Sequence, residues 1–411
     1  MLSKGRRRKR TLRVYKNICY AWVQRKLGEV AERVVRKNKN LESLLPLTIS
    51  AQYGLIAQNE FFDKQIASRD VSGYFLVKKG EFAYNKSYSN GYPWGAVKRL
   101  DGYEMGVLST LYIVFEPTDI DSEFLVQYYE TSNWHTEVAI RAAEGARNHG
   151  LLNISPSDFF DTDLLIPTIT EEQTAIGSFF RTLDDTITLH KRKLDGLKEL
   201  KSGYLQVMFP QSGETVPRVR FNGFEGEWQE RKLEEVLIER SILQYPTNKT
   251  PLVSFTVENG VTPKSDRYNR EFLVKDKKKK YKFTKLNDIV YNPANLKFGA
   301  IARNQYGDAV FSPIYITFDV KEIATPSFVE LIVTSSSFIK KSLVYQEGTV
   351  YERMAVKPED FLTLKICLPT LPEQTAIGSF FRSLEEQITI QAEKVEQLKQ
   401  LKAAYLQKMF V

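Results

Sequence analysis

The chain repeats itself. Residues 172–209 (EQTAIGSFFRTLDDTITLHKRKLDGLKELKSGYLQVMF) and 373–410 (EQTAIGSFFRSLEEQITIQAEKVEQLKQLKAAYLQKMF) are identical at 23 of 38 positions without a gap. The copies lie 201 residues apart in a chain of 411. Solenoid repeats recur every 20–50 residues or so, so this spacing means duplication of a large unit.

Both copies read as long helices. Leu183, Ile187, His190, Leu194, Leu197, Lys201, Tyr204 and Met208 follow alternating steps of four and three, and Leu384, Ile388, Gln391, Val395, Leu398, Lys402, Tyr405 and Met409 repeat them. That is a coiled-coil seam with a few polar members. Thr170 with Gln173 fits a capping box, Pro372 fits a first turn, and Gly177 and Gly378 suit close packing or a kink. A lone helix would leave its stripe exposed, so the copies are expected to pair, most simply antiparallel; whether within one chain or between chains is not legible. Two unrelated helices, each buried in its own domain, are the alternative. Identity outside the seam argues against it.

The duplication extends further. Trp22, Arg25, Lys26, Leu27, Glu29 and Val30 correspond to Trp228, Arg231, Lys232, Leu233, Glu235 and Val236. Tyr84-Asn85 corresponds to Tyr291-Asn292, and Gly95-Ala96-Val97 to Gly299-Ala300-Ile301. Ser109, Tyr112, Ile113 and Phe115 match Ser312, Tyr315, Ile316 and Phe318. Elsewhere the units diverge. The expected organisation is a basic arm (1–21), a variable domain (22–163), a helical spacer (164–209), a Pro/Gly-rich linker (210–227), a second variable domain (228–365) and a second spacer (366–411).

Each variable domain mixes strand and helix signals. LYIVF (111–115) and PIYITF (313–318) read as strands, and Phe124 to Ile140 and Phe328 to Val344 as helices. The fold class is α+β, two duplicated domains separated by two long helices pairing as an antiparallel coiled coil, each domain built on a central, partly antiparallel sheet. Segments between the matched anchors are dense in residues that suit nucleic acid: Arg and Lys for phosphate or guanine, Asn for adenine. The candidate contacts are Lys86, Tyr88, Asn90, Lys98, Arg99 and Arg147, then Asn292, Asn295, Lys297, Arg303 and Arg353. Tyr92, Trp94 and Phe298 weigh toward packing. A lysine cluster, in which Lys277, Lys278, Lys279 and Lys280 are the further candidates, reads as a loop or edge strand with cations on its rim.

Charge alone says less. The net +8 equals the eight basic side chains of residues 1–16, because the remaining 50 Lys and Arg balance 50 Asp and Glu. That tail is a solvated arm or a phosphate-binding one. Two cysteines, Cys19 and Cys367, and three histidines offer neither a disulfide framework nor a zinc site, and point to the cytoplasm. No apolar run is long enough to span a bilayer, so no membrane partner is expected.

W-x-x-R-K-L-x-E-V at both domain starts, VPRVRFNGFEGEW before the second, the closing PTITEEQTAI and PTLPEQTAI segments and the L-K-x-L-K-x-x-Y-L-Q-x-M-F helix ends together resemble the specificity subunit of a type I restriction-modification system. The resemblance runs from about Trp22 to Phe410; residues 1–21 depart from the family's usual proline- and aromatic-rich lead. It implies two target-recognition domains, each reading half of a bipartite double-stranded DNA target, and helices that dock two modification (methyltransferase) subunits. S-adenosylmethionine, ATP and Mg are then expected on partner subunits, including restriction (translocase/nuclease) subunits, with no cofactor, metal or catalytic residue in this chain. The residues agree. The nearest string to an amino-methyltransferase motif, Asn292-Pro293-Ala294-Asn295, lacks the second proline and the aromatic, and no phosphate-cradling G-x-x-x-x-G-K-[ST] occurs.

On this reading the helix pair is a ruler. The seam from Leu183 to Met208 is about 40 Å long at 1.5 Å per residue, near the roughly 34 Å of one DNA turn. The alternative from another class is a coiled-coil scaffold or adaptor with two protein-binding domains; a self-sufficient methyltransferase is a third.

Overall fold

The computed structural model describes residues 22–50, 53–61, 68, 70–87, 91–142, 152, 154–263, 279–345 and 355–410. They form two compact units, one made of the chain up to Arg192 together with 393–411, the other of Lys193–Ala392. The basic arm and the candidates Tyr88, Asn90, Arg147, Lys277, Lys278 and Arg353 lie outside the described residues.

In the first unit β1 (Trp22–Lys26) leads through a short turn, α1 (Leu27–Val30), into β2 (Ala31–Val34). A small lobe follows, in which β3 (Leu47–Ser50) pairs with β4 (Gly54–Ala57), with α2 (Gln58–Phe61) alongside. Next come β5 (Phe75–Lys78), β6 (Phe82–Asn85), β7 (Ala96–Arg99), β8 (Met105–Leu108) and β9 (Ile113–Pro117). The central antiparallel sheet has the order β2-β9-β6-β7, and β5 pairs with β8. After α3 (Ser122–Tyr128), α4 (Asn133–Arg141) and α5 (Pro156–Phe160), β10 (Asp163–Pro167) returns to pair with β1. The long α6 (Thr170–Val207) begins three residues later.

The second unit repeats this plan. β11 (Gln229–Lys232), α7 (Leu233–Val236) and β12 (Leu237–Glu239) stand where β1, α1 and β2 stood. β13 (Leu243–Gln244), β14 (Val253–Thr256), β15 (Gly260–Pro263), β16 (Tyr281–Thr284), β17 (Ile289–Tyr291), β18 (Ile301–Arg303), β19 (Ala309–Phe311) and β20 (Ile316–Val320) follow. Its central sheet has the order β12-β20-β17-β18, strand for strand that of the first. α8 (Pro326–Val333), α9 (Ser336–Ser342) and α10 (Pro358–Thr363) lead to β21 (Lys365–Leu368), which pairs with β11. The chain closes with α11 (Leu371–Met409).

The shared residues are the shared core. Tyr84 and Tyr291 are fully buried. Tyr84 stacks on Phe159 at 4.5 Å and Tyr291 on Phe361 at 4.8 Å. Their hydroxyls donate to Trp94 O at 2.8 Å and Val356 O at 3.1 Å, so neither polar tip is stranded. Gly95 and Gly299 both adopt positive φ (80° and 81°), a conformation that favours glycine. A Cβ on Gly95 would also lie 2.0 Å from Asn85 O.

Several expectations shift. The segments read as single helices are each broken in two: Ser335 caps a new helix by accepting from Phe338 N, and Thr131 Oγ1 accepts from Asn133 N in the turn before the other. The strands read at 111–115 and 313–318 begin two or three residues later, after tight turns in which Tyr112 N and Tyr315 N return to Ser109 O and Ser312 O. Gln173 does not close a capping box. Its side chain donates to Pro167 O at 2.9 Å and accepts from Asp121 N at 2.9 Å. Gln374 makes the equivalent bonds, to Pro369 O at 2.9 Å and from Thr325 N at 2.8 Å. The repeated glutamine thus fastens each long helix to its own domain. The segment 210–227 is pinned as well: Val219 N donates to Val207 O at 2.9 Å, and Trp228 N to Thr215 O at 2.8 Å.

Candidate nucleic-acid interface and helix seam

The basic candidates fall into two groups. The first is engaged within its own domain. Lys86 Nζ reaches Ile154 O at 3.3 Å, and burial pushes its ammonium down. Lys98 pairs with Glu130. Arg99, its side chain 12% exposed, donates to Asp101 at 2.6 Å, Ser122 Oγ at 2.8 Å and Glu123 at 2.7 Å. Burial opposes its charge, but the carboxylates outweigh burial and raise its pKa. Arg303, also 12% exposed, donates to Glu330 at 2.8 Å and Asn287 Oδ1 at 2.9 Å. Asn292 is buried, and its Oδ1 accepts from Ala294 N at 3.1 Å, holding the turn in the NPAN string. These charges and amides order the sheet edge and the helix beside it.

The second group is exposed. Asn295 opens a 3-10 turn, Leu296–Phe298, which shows Lys297 to solvent and leaves Phe298 65% exposed. Leu296 is the anchor, fully buried beneath them. Phe298 was expected to pack; instead it stands out beside Lys297, whose Nζ lies 5.0 Å from its ring centroid. Lys279 and Lys280 are exposed too, with Nζ 5.8 Å and 5.7 Å from the rings of Tyr281 and Tyr245. The strand that follows departs from the expected rim. β16 is the middle strand of the order β13-β16-β19. Lys282 is buried there, with Nζ 3.0 Å from Glu239. A buried ammonium is costly unless paired, and Glu239 supplies the carboxylate.

The seam positions differ in depth. Ile187, Met208, Leu384, Ile388, Val395 and Leu398 are buried; Leu183, Leu194, Leu197, Tyr204 and Met409 are half-buried; Tyr405 is 39% exposed. In the first unit Lys402 Nζ contacts both oxygens of Asp184 at 2.7 and 2.8 Å, and Phe179 meets Tyr405 edge-on at 5.2 Å. In the second, Lys201 pairs with Glu385 and Tyr204 meets Phe380 at 5.1 Å. Within each unit, rising numbers on one helix meet falling numbers on the other: the pairing is antiparallel and lies within one chain. The polar seam members Lys201 and Lys402 are thereby explained, since each finds a carboxylate on the facing helix.

The repeated Met-Phe ends do more than finish the helices. Phe410 packs on Trp22, Phe124 and Phe180 at 6.1, 5.2 and 6.0 Å. Phe209 packs on Trp228, Phe328 and Phe381 at 5.9, 5.5 and 6.2 Å. The sequence showed the repeat of these residues without their role.

Among the described residues no group of His, Cys, Asp and Glu could hold a metal ion, and no helix is long and apolar enough to cross a membrane.

Residues 21–199 match the type I restriction modification DNA specificity domain. No curated protein matches this chain. Its fold is similar to the crystal structure of a type I restriction-modification S subunit from M. genitalium (TM-score 0.58, 13% identity, covering 96% of this chain and 97% of that one). Two other solved structures resemble it more loosely. One is from work on assembly and conformational transition of the type I R-M system (TM-score 0.49, 16% identity, 96% of this chain and 98% of that one). The other is the HsdS subunit from Thermoanaerobacter tengcongensis (TM-score 0.43, 16% identity, 96% and 97%).

Proposed function

We propose, from the premise that this chain belongs to the type I restriction-modification specificity family, its second half repeating in sequence and strand order the matched first, that it reads a bipartite DNA target. Each variable domain recognises one half-site, and the antiparallel helices set the gap. The chain itself is not catalytic. Two modification subunits dock on the helices and carry S-adenosylmethionine, while restriction subunits bring ATP and Mg, all in the cytoplasm. The observation that carries this reading is the duplication itself: one framework, built twice around the same tyrosine-centred core, with unlike surfaces between the anchors. Such a chain suits a target whose halves differ and whose spacing is fixed.

Docking is supported by apolar residues off the seam. Leu189 and Ile390 are 67% and 66% exposed, and Leu200 and Leu401 are 47% and 44% exposed, at equivalent positions of the two copies. Exposed apolar groups in matched places suit two copies of one partner. For DNA contact we assign Lys279, Lys280, Asn295 and Lys297 among the described residues. Their side chains are exposed, whereas Lys86, Lys98, Arg99 and Asn292 are engaged internally and Arg303 is engaged through Nε and Nη1. Phosphate contacts of this kind give salt-dependent affinity, and base contacts about 1–3 kcal/mol of discrimination each.

Genome-wide mapping of methylated adenine in cells expressing the chain with its partners tests the function. A two-part motif with a fixed gap is expected. Absence of any sequence-specific methylation, with protein partners still bound, would leave the scaffold reading instead.

A further inference from the structure

The two units differ at one internal site in a way that assigns it a ligand. In the first unit Glu123 stands between two guanidinium groups, accepting from Arg99 Nη2 at 2.7 Å and Arg181 Nη1 at 3.4 Å. Asp121 caps α3, accepting from Phe124 N at 2.9 Å, and its second oxygen accepts from Thr174 Oγ1 at 2.9 Å. Two acids therefore answer the donors.

In the second unit the donors persist and the acids do not. Equivalence is set by geometry: Thr325 N donates to Gln374 as Asp121 N does to Gln173, and Arg303 pairs across from Ile289 as Arg99 does from Phe82. Arg303, Arg382 and Thr375 thus match Arg99, Arg181 and Thr174, but Thr325 and Ser327 stand where Asp121 and Glu123 were. The place is a cleft of about 240 Å³ lined chiefly by Arg303, Arg382, Thr325, Ser327, Thr375 and Ser379. Arg303 donates from Nε to Glu330, which stands where the first unit has Val126, and from Nη1 to Asn287 Oδ1. Among the described residues Arg382 has no ion-pair partner, and Thr325 Oγ1 is buried without a hydrogen bond. Thr375 turns its hydroxyl back to Leu371 O at 2.9 Å.

We propose that this cleft binds a phosphate group, which takes the place that Glu123 holds in the first unit. The donors come from three elements, β18, the start of α8 and the first turns of α11. A tetrahedral oxyanion can use such a spread where a planar carboxylate uses one plane. Guanidinium forks and hydroxyls are the groups that hold phosphate oxygens. The phosphate belongs to a DNA backbone or is free in solution; only the first source rests on the proposed DNA function.

The full chain is titrated with inorganic phosphate at constant ionic strength, following its melting temperature and the heat of binding. One phosphate per chain is expected, with a rise in melting temperature that chloride does not give. Ser327→Glu, which restores the acid of the first unit, should abolish both signals. Arg382→Gln should weaken phosphate at least tenfold and serves if the first variant does not fold. Glu123→Ser should add a second phosphate. No binding by the unaltered chain, or equal binding by Ser327→Glu and Arg382→Gln, overturns the proposal. In the assembled complex, a DNA phosphate in the cleft means that Arg382→Gln lowers the slope of log affinity against log salt by about one. An unchanged slope with phosphate binding lost identifies free phosphate as the ligand. If the unaltered complex ignores DNA altogether, the DNA reading fails while the phosphate titration still stands.

Discussion

Arg220 and Glu373 make a buried, bidentate ion pair. Glu373 is fully buried, and Arg220 grips it bidentately, Nε and Nη2 each 2.6 Å from a carboxylate oxygen. Removing one partner of a buried pair strands the other charge. Arg220→Ala should therefore lower stability by about 3–5 kcal/mol in urea denaturation. The glycines of α6 separate by context. A Cβ on Gly177 would lie 2.7 Å from Glu123 Cβ and Phe124 N, so Gly177→Ala should cost about 1–3 kcal/mol. Gly196 meets nothing within 4 Å, and Gly196→Ala should instead stabilise by up to about 1 kcal/mol. Urea denaturation of the two variants reads both. Sequence alone offered Gly177 a kink or a close contact, and the start of α3 decides for contact.

At the scale of elements, the seam was legible because four-three periodicity needs no knowledge of the partner. Its depth was not: α11 buries Leu384, Ile388, Gln391, Val395 and Leu398, whereas α6 leaves Leu194 and Leu197 only half-covered. Leu398→Ala should accordingly cost about 2–5 kcal/mol, and by the same denaturation assay Leu197→Ala less. The outward residues predict the opposite phenotype. Leu189→Asp with Leu200→Asp should leave the fold intact by circular dichroism but reduce bound modification subunits from two to one in native mass spectrometry. Retention of two would remove these residues from the docking face. The candidate DNA contacts were the least legible. Residue type singled out Arg99 and Arg303 alongside Lys297, but a lysine or arginine in sequence does not reveal whether a carboxylate such as Glu123 or Glu330 will reach it.

If the helix pair acts as a ruler for the whole molecule, a heptad inserted into both α6 and α11 should lengthen the gap in the methylated motif; an unchanged gap would sink it. The duplication, the long paired helices, their antiparallel sense and the α+β class were all legible in the amino-acid order, because they rest on identity, period and local propensity. Tertiary contacts settled that the antiparallel pairing lies within one chain, that Gln173 and Gln374 fasten helix to domain, and that Phe410 and Phe209 complete aromatic cores built from residues far away in sequence. It also decided which basic residues are neutralised and which stand free. Those outcomes depend on groups distant in sequence meeting within a few ångströms, and no periodicity along the chain encodes such a meeting.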